Sequence, residues 1–145
     1  NLIGTHICTQ QVLPAMIEAG WGRIVNISSL AGLTGQPYIS AYSASKHAMI
    51  GLTRTLALEV AKKGITVNAV CPAYVETGMV ERGVENIQKI TGMSEDDARG
   101  ELAKKSPQAR IIKASEVGAT VGWLCLPGTE SITGQSIAMA GGAWM

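Results

Sequence analysis

Apolar positions along this chain switch between helical spacing and short continuous runs, which predicts alternating helices and buried strands. The continuous runs lie at 23–28 and 65–71, and a helix-spaced segment of about 41–63 separates them. A strand, a helix and a second strand in succession predict parallel strands joined by a helical crossover. The sequence therefore predicts an α/β fold built on a parallel sheet.

Further elements flank this central unit. The first residues have the pattern of a helix, with an apolar stripe formed by Leu2, Ile3, Ile7, Val12, Leu13, Met16 and Ile17. Gly20-Trp21-Gly22 then ends the helix, because glycine suits the left-handed residue that follows a helix. Towards the carboxyl end we predict a helix start at Ser94, a helix from Ser115 as N-cap to about Leu126, and a last strand within SITGQSIAMA.

Composition and charge argue against several classes of protein. Twelve basic and eleven acidic residues give a net charge of +1, so there is no electrostatic case for binding nucleic acid or an anionic membrane surface. The apolar runs are too short and too interrupted for a transmembrane helix. His6 and His47 lack partners at metal-ligand spacing, and the three cysteines form no C-x-x-C pair. These features predict a reduced, cytoplasmic protein without a metal site.

The candidate chemistry lies between Arg23 and Lys46. Tyr42 and Lys46 are four residues apart, so they lie one turn apart on one face of the predicted helix. A lysine ammonium beside a phenol favours the phenolate, because an opposite charge stabilises the ionised form. Ser29 ends the preceding strand, and its hydroxyl can hydrogen-bond a carbonyl oxygen beside that phenol. These groups form general acid–base machinery for a carbonyl/alcohol couple.

Two simpler interpretations compete with this one. A Tyr and a Lys four residues apart also occur in ordinary amphipathic helices, whose lysine keeps its charge in water. Ser28 competes with Ser29, since neighbouring side chains on a strand point to opposite faces and one of them can meet Tyr42. The combination of motifs, rather than the Tyr–Lys pair by itself, favours the catalytic interpretation.

This combination resembles the short-chain dehydrogenase/reductase family. The resemblance rests on Ser29 thirteen residues before Tyr42, on Asn1 upstream, and on NAVCPAYVET after the next strand. It extends to ITGQSIAMAGGAWM at the end of the chain. It implies a Rossmann-type doubly wound parallel sheet and a hydride-transferring oxidoreductase that uses NAD or NADP.

The chain contains no glycine-rich phosphate loop after a strand. The resemblance therefore implies that residues 1–145 correspond to the C-terminal part of a single domain, without the N-terminal strands and the phosphate-binding loop. The residue that discriminates NAD from NADP follows the second strand of such a domain, so the preference between them stays open.

The resemblance also implies a role for each catalytic position. Tyr42 is expected to be the acid in reduction and the base in oxidation. Lys46 is expected to favour its phenolate and to hold the nicotinamide ribose hydroxyls, while Ser29 orients the substrate oxygen. Asn1 is expected to position a water that links Lys46 to bulk solvent. Besides Tyr42 and Lys46, the implied cofactor contacts are Pro72, Val75 and Thr77, in a segment where this chain has Ala73 in place of the usual glycine.

Residues 78–112 resemble the helical lid of 3-hydroxybutyrate dehydrogenases, polyketide ketoreductases and 3-hydroxyacyl-thioester dehydrogenases. The positions that grip a free carboxylate in the hydroxybutyrate enzymes are here Ala31, Ile39 and Gly83. An unpartnered carboxylate in an apolar pocket is costly, which favours an uncharged 3-oxoacyl or 3-hydroxyacyl thioester of CoA or a carrier protein. The expected substrate contacts are Ser29, Ala31, Ile39 and Met79. Val80 and Val84 are expected to join Met79 over the acyl chain, and Arg82 and Lys89 to meet a phosphopantetheine-bearing partner.

Three alternatives stay open at this point. One is a 3-hydroxybutyrate or other secondary-alcohol dehydrogenase of the same family. The second is a non-catalytic piece that cannot bind cofactor by itself, and the third, less favoured, is a sugar-nucleotide epimerase, which also uses Tyr-x-x-x-Lys. The resemblance further implies a homotetramer, with helices 1–19 and 41–63 in one two-fold interface and the last strand with Trp144 and Met145 in another.

Overall fold

Three parallel strands and their flanking helices make up the structure. The computed structural model describes residues 1–144. In chain order the elements are α1 (Leu2–Ala19), β1 (Gly22–Ile27), a 3₁₀ turn (Leu30–Gly32), α2 (Ser40–Val60), a second 3₁₀ turn (Ala61–Lys63), β2 (Ile65–Pro72), α3 (Gly78–Thr91), α4 (Glu95–Ala103), α5 (Ala114–Cys125) and β3 (Ser136–Met139).

The sheet has the order β1-β2-β3, and both pairings are parallel. The register pairs Gly22 with Ile65 and Ile27 with Val70, and it pairs Ala69 with Ser136 and Pro72 with Met139. All eight residues of β2 are buried, as expected for a central strand covered on both faces. The predicted α/β fold with parallel strands is confirmed, and the carboxyl ends of the three strands meet at one edge.

Helix α2 forms the main apolar contact with the sheet. The core cluster consists of Ile24, Leu56, Ala57, Val60, Ile65 and Val67, and Leu13 and Met16 of α1 pack against it. Full burial of aliphatic side chains of this size contributes about 1.5–3 kcal/mol each. This packing places the first turns of α2 beside the carboxyl end of β1.

The predicted single apolar stripe of α1 is wrong in part. Leu13 and Met16 face the core, whereas Ile3, Ile7 and Ile17 remain 75%, 51% and 40% exposed. At 3.6 residues per turn, the three isoleucines span about 80° of the helix surface, and their centre lies about 110° from the centre of the face that packs inward. Helix α1 therefore carries two apolar faces, and one of them is uncovered in this structure.

Glycines end two segments at the amino edge of the sheet, and the predicted stop at Gly20 is confirmed. Gly20 has a φ of 63°, and its N–H donates to the carbonyl of Ile17. Gly64 has a φ of 69°, and a Cβ built there overlaps the carbonyl oxygen of Gly20. Glycine is required at Gly64 both by its left-handed backbone and by this close approach.

The two predicted helix caps have different outcomes. Ser94 caps α4, and its hydroxyl accepts from the Asp97 N–H at 3.1 Å, as predicted. The Ser115 cap is wrong, because α5 begins at Ala114 with Lys113 in the capping position. The cause is Glu116, whose carboxylate accepts from the Lys113 N–H at 2.9 Å and draws the helix start back.

Residues 78–112 contain two helices, as expected for a helical lid, although α3 has no individually predicted counterpart. Helices α3 and α4 share an apolar cluster of Val80, Val84, Ala98, Leu102 and Ile111. The base of the segment is closed by a parallel bridge between Val75 and Ile112, with the Glu76 N–H donating to Ile112 O at 2.9 Å.

Within residues 1–144, no helix is both long and apolar enough to cross a membrane.

Candidate active site

Tyr42 and Lys46 lie in the first two turns of α2, at the carboxyl edge of the sheet. The Lys46 ammonium nitrogen is 5.6 Å from the centre of the Tyr42 ring. The Tyr42 side chain is half-buried, so its hydroxyl end can remain reachable from solvent. The structure thus brings together the two residues on which the sequence-based prediction depends.

Lys46 is buried, with 8% of its surface exposed. Its Nζ donates to the carbonyl of Ile27, the last residue of β1, at 2.8 Å. Burial lowers the pKa of Lys46, because desolvation disfavours the ammonium, and the nearby Cys71 thiol opposes this effect. One of the three ammonium hydrogens is used by Ile27, so two remain for other partners.

The structure separates the roles of the two neighbouring serines. Ser28 is buried, and its hydroxyl donates to the backbone carbonyl of Lys46 at 3.0 Å. Ser29 is half-buried, and its oxygen accepts from the Ala31 N–H at 3.2 Å, which caps the 3₁₀ turn. The O–H of Ser29 therefore keeps its donor for a ligand, and the choice of Ser29 over Ser28 as the catalytic serine stays a prediction.

Asn1 is connected to the turn of α2 that carries Tyr42. Its side-chain amide donates to the Ser45 hydroxyl at 3.0 Å, and that hydroxyl donates to the Tyr42 carbonyl at 2.7 Å. The Asn1 carbonyl accepts from Thr5. Asn1 is thus close to the candidate site, and its role in a water-mediated proton relay stays a prediction.

The segment after β2 is held in place from both sides. Pro72 is buried, Val75 pairs with Ile112, and the Thr77 hydroxyl donates to the Val75 carbonyl at 3.1 Å on the protein surface. Among residues 1–144, the non-glycine residues with positive φ are Tyr38 and Ala109, so Ala73 has a negative φ. Alanine therefore occupies the position of the family's usual glycine without backbone strain.

The predicted substrate contacts differ in their accessibility. Ala31 is 2% exposed, and this burial does not support its predicted contact with substrate. Ile39 and Met79 are 37% and 59% exposed and can offer apolar surface. Gly83 faces Leu102 of α4, at 3.7 Å from an added Cβ.

The expectation that Val80 and Val84 cover the acyl chain is wrong. Both are buried in the cluster between α3 and α4, so they stabilise the segment internally and have no free face for an acyl chain. Arg82 and Lys89 are exposed on α3, where a charged partner can reach them.

Sequence reasoning missed Cys71 as a neighbour of the site. Cys71 lies in the core near the end of β2, and burial raises the pKa of its thiol, while the Ser28 hydroxyl, the Ser29 backbone and the Lys46 charge oppose that shift. The signal was available, because Cys71 comes one residue before the end of β2, on the strand that pairs with β1. Within residues 1–144, no three His, Cys, Asp or Glu side chains are grouped so that they could hold a metal ion.

Comparisons with known proteins agree with the fold. A family model described as enoyl-(acyl carrier protein) reductase matches residues 1–143. A putative ketoacyl reductase of Streptomyces coelicolor is 43% identical over 144 residues, covering 98% of this chain and 55% of the relative. A D-β-hydroxybutyrate dehydrogenase of Rhizobium meliloti is 38% identical over 143 residues, with coverage of 98% and 55%.

A crystal structure of an actinorhodin polyketide ketoreductase variant with NADPH superposes with a TM-score of 0.92 at 43% identity. The superposition covers 99% of this chain and 56% of that one. The chain thus spans about half the length of the relatives that it matches.

Proposed function

The chain belongs to the short-chain dehydrogenase/reductase family, and we propose on that premise that the full-length protein is an NAD(P)-dependent oxidoreductase. We infer that it interconverts a 3-oxoacyl thioester and a 3-hydroxyacyl thioester, of CoA or of a carrier protein. The observation that carries the proposal is the Tyr42–Lys46 pair, whose ring centre and ammonium are 5.6 Å apart, next to the carboxyl end of β1, two residues before Ser29.

The residues act on the substrate oxygen by proton transfer and hydrogen bonding. In reduction, Tyr42 donates its hydroxyl proton to the carbonyl oxygen as it becomes an alcohol, and in oxidation its phenolate takes that proton back. Lys46 stabilises the phenolate through its positive charge. Ser29 donates a hydrogen bond to the same substrate oxygen and orients it, and Asn1 supports the proton supply to Lys46.

The residues present fit a nicotinamide cofactor. The bound nicotinamide supplies or accepts the hydride. Lys46 has two ammonium hydrogens beyond its bond to Ile27, which suit ribose hydroxyls. Thr77 exposes a hydroxyl beside Val75, and with Pro72 these residues follow the carboxyl end of β2, where ligands bind in sheets of this kind.

An apolar acyl end is the better fit to the residues around the site. Apart from Ser29, which is assigned to the reacting oxygen, the accessible side chains among the expected substrate contacts are Ile39 and Met79, and neither can pair with a carboxylate. An ionised carboxylate that is buried without a partner loses its hydration, and no hydrogen bond or ion pair compensates for that loss. A thioester carries no charge at this position, so it avoids that cost.

A second candidate activity is the oxidation of free 3-hydroxybutyrate, favoured by the 38% identity to the Rhizobium meliloti dehydrogenase. The two are separated by kcat/KM of the full-length protein for acetoacetyl-CoA and for acetoacetate, each with NADH and NADPH. We expect a preference of about 100-fold or more for the thioester. If acetoacetate is the better substrate, the thioester proposal is wrong and the free-acid dehydrogenase takes its place.

The family premise also supports a homotetramer, assembled through α1 and α2 on one two-fold axis and through β3 and the chain end on another. The exposed isoleucines of α1 and the 41% exposure of Trp144 supply apolar surface for both. Met145, named with Trp144 in the predicted interface, lies outside the described residues. The cytoplasmic location inferred from the sequence stays a prediction.

A further inference from the structure

Two buried polar contacts join β1 to α2. The Asn26 amide donates to the Thr53 hydroxyl at 2.9 Å, and the Ser28 hydroxyl donates to the Lys46 carbonyl at 3.0 Å. Asn26 and Ser28 are two residues apart, so both project from the same face of the strand. The helix is thereby held on the strand at two points, of which the Ser28 contact is the one at the candidate active site.

The surroundings of Ser28 leave little room for movement. Its N–H donates to the Val70 carbonyl of β2 at 2.8 Å, so the sheet holds its backbone in place. Gly32 covers it from the 3₁₀ turn, and a Cβ built at Gly32 comes within 2.6 Å of the Ser28 oxygen and 2.9 Å of the Lys46 carbonyl oxygen. The turn, the strand and the helix therefore meet around the Ser28 hydroxyl.

Lys46 is consequently held at both of its ends by adjacent residues of one strand end. Its backbone carbonyl accepts from Ser28, and its ammonium donates to the Ile27 carbonyl at 2.8 Å. Tyr42 is one helical turn earlier on the same face, so any shift of the Lys46 turn also moves Tyr42. The titratable groups next to Lys46 are Tyr42 on α2 and Cys71 on β2.

We propose that Ser28 is a positioning residue, whose hydroxyl, closed in by Gly32, sets the placement of the Lys46–Tyr42 turn relative to Ser29. Ser28 does not touch the substrate in this proposal. The inference rests on the proposed function, since it concerns the residues that carry out the proton transfer. It explains why two serines stand side by side, because Ser28 faces the helix while Ser29 keeps a free donor.

The test compares Ser28→Ala, Ser28→Thr and Thr53→Val in the full-length protein. Thr53→Val is the matched control, because Thr53 is also fully buried and bonds both Asn26 and the Met49 carbonyl, but lies about two turns further along α2. For each variant, kcat, KM, the pH profile of alcohol oxidation and Tm are measured. The wild type is assayed with acetoacetyl-CoA and acetoacetate in the reductive direction, and with the corresponding hydroxy compounds in oxidation.

We expect Ser28→Ala to lower kcat by about 10- to 100-fold with KM changed by less than about threefold, since displacement of a reacting group by an ångström has an effect of this size. The rising limb of the oxidation profile should also move to higher pH, because the Lys46 ammonium is displaced from the Tyr42 oxygen. Ser28→Thr keeps the hydroxyl and should change both quantities less than Ser28→Ala does. Thr53→Val should lower Tm without moving the pH profile.

Equal losses of activity and Tm in Ser28→Ala and Thr53→Val, with neither pH profile changed, would overturn the proposal. If Ser28→Ala does not fold, Gly32→Ala crowds the same contact without removing the hydroxyl and should shift the profile in the same direction; an unchanged profile in a folded Gly32→Ala protein also overturns it. A wild type without turnover on any substrate contradicts the proposed function instead. In that case the crystal structure of Ser28→Ala decides, and a Lys46 carbonyl oxygen and a Tyr42 ring that keep their wild-type positions relative to Ser29 refute the positioning role.

Discussion

Burying a lysine is destabilising, because its charge must leave water. The hydrogen bond from Lys46 to the carbonyl of Ile27 offsets part of this loss of hydration, yet two hydrogens of the ammonium are not involved in that bond. A lysine that served stability only would gain more from remaining on the surface. Its placement beside the Tyr42 ring therefore supports the role that we propose for Lys46 in proton transfer.

The first prediction concerns Tyr42. In the full-length protein, Tyr42→Phe removes the proton donor and leaves the ring packing in place, so turnover should fall by about 10²–10⁴ with Tm nearly unchanged. Tyr38→Phe is the matched control, because Tyr38 lies four residues earlier with its side chain fully exposed, and its turnover should equal that of the wild type. Steady-state kinetics measure the turnover of both variants, and thermal melts measure their Tm. A Tyr42→Phe protein with normal turnover means that another group transfers the proton.

Individual residues of the site differ in how far their contacts can be predicted from the sequence. The proximity of Tyr42 and Lys46 can be predicted from their spacing, since helical periodicity places residues four apart on one face. The Ser28 bond to the Lys46 carbonyl was not predicted, because it joins a side chain to a backbone atom eighteen residues away. Nor does spacing show that Ala31 is buried in the 3₁₀ turn, since that depends on how the turn closes against α2.

At the scale of elements, the strands were the easiest to predict. β2 is buried throughout and therefore appears as a continuous apolar run, which the sequence displays plainly. The start of α5 was predicted wrongly, because the decisive contact comes from Glu116 reaching back to the Lys113 N–H and to Arg110. A cap formed by a side chain inside the helix competes with the serine signal at Ser115, and tertiary placement of Arg110 decides between them.

The second prediction follows from that cap. The Arg110 guanidinium, bonded at 2.6 and 2.8 Å, and the Lys113 N–H hold the pKa of Glu116 at about 2, below its usual 4.5. A carboxyl group whose pKa is lowered by folding stabilises the folded state above its unfolded pKa, and this contribution is lost as the pH falls through the folded value. Glu116→Gln should therefore melt a few degrees below the wild type at pH 7, and the difference should shrink between about pH 4.5 and pH 2.

Thermal melts across that pH range measure the effect. Glu85→Gln is a suitable control, because Glu85 is an exposed carboxylate on α3 and should give no pH-dependent difference from the wild type. A difference for Glu116→Gln that stays constant from pH 7 to pH 2.5 would show that the carboxylate charge has no part in holding α5.

For the molecule as a whole, the uncovered face of α1 is the main unexplained surface. Periodicity shows that α1 has many apolar positions, but it cannot say which of two neighbouring faces meets the core. The choice is made by Ile24, Leu56 and Val67, which accept Leu13 and Met16 and leave Ile3, Ile7 and Ile17 outside. Ile3 also lines a groove between the beginnings of α1 and α2, together with the small residues Ala41, Ala44, Ser45 and Ala48.

The last prediction is that this surface lies in a two-fold interface of a tetramer. Small residues in the groove allow close approach of a second copy, and each isoleucine buried there contributes about 1.5–3 kcal/mol. Ile7→Glu in the full-length protein should convert the tetramer into a dimer, because the interface around β3 and Trp144 is left intact. Ile90→Glu is the control. Ile90 is 84% exposed on α3, which belongs to neither proposed interface, so this substitution should not change the assembly. Sedimentation velocity at micromolar concentration measures both, and a wild type that sediments as a monomer contradicts the tetramer.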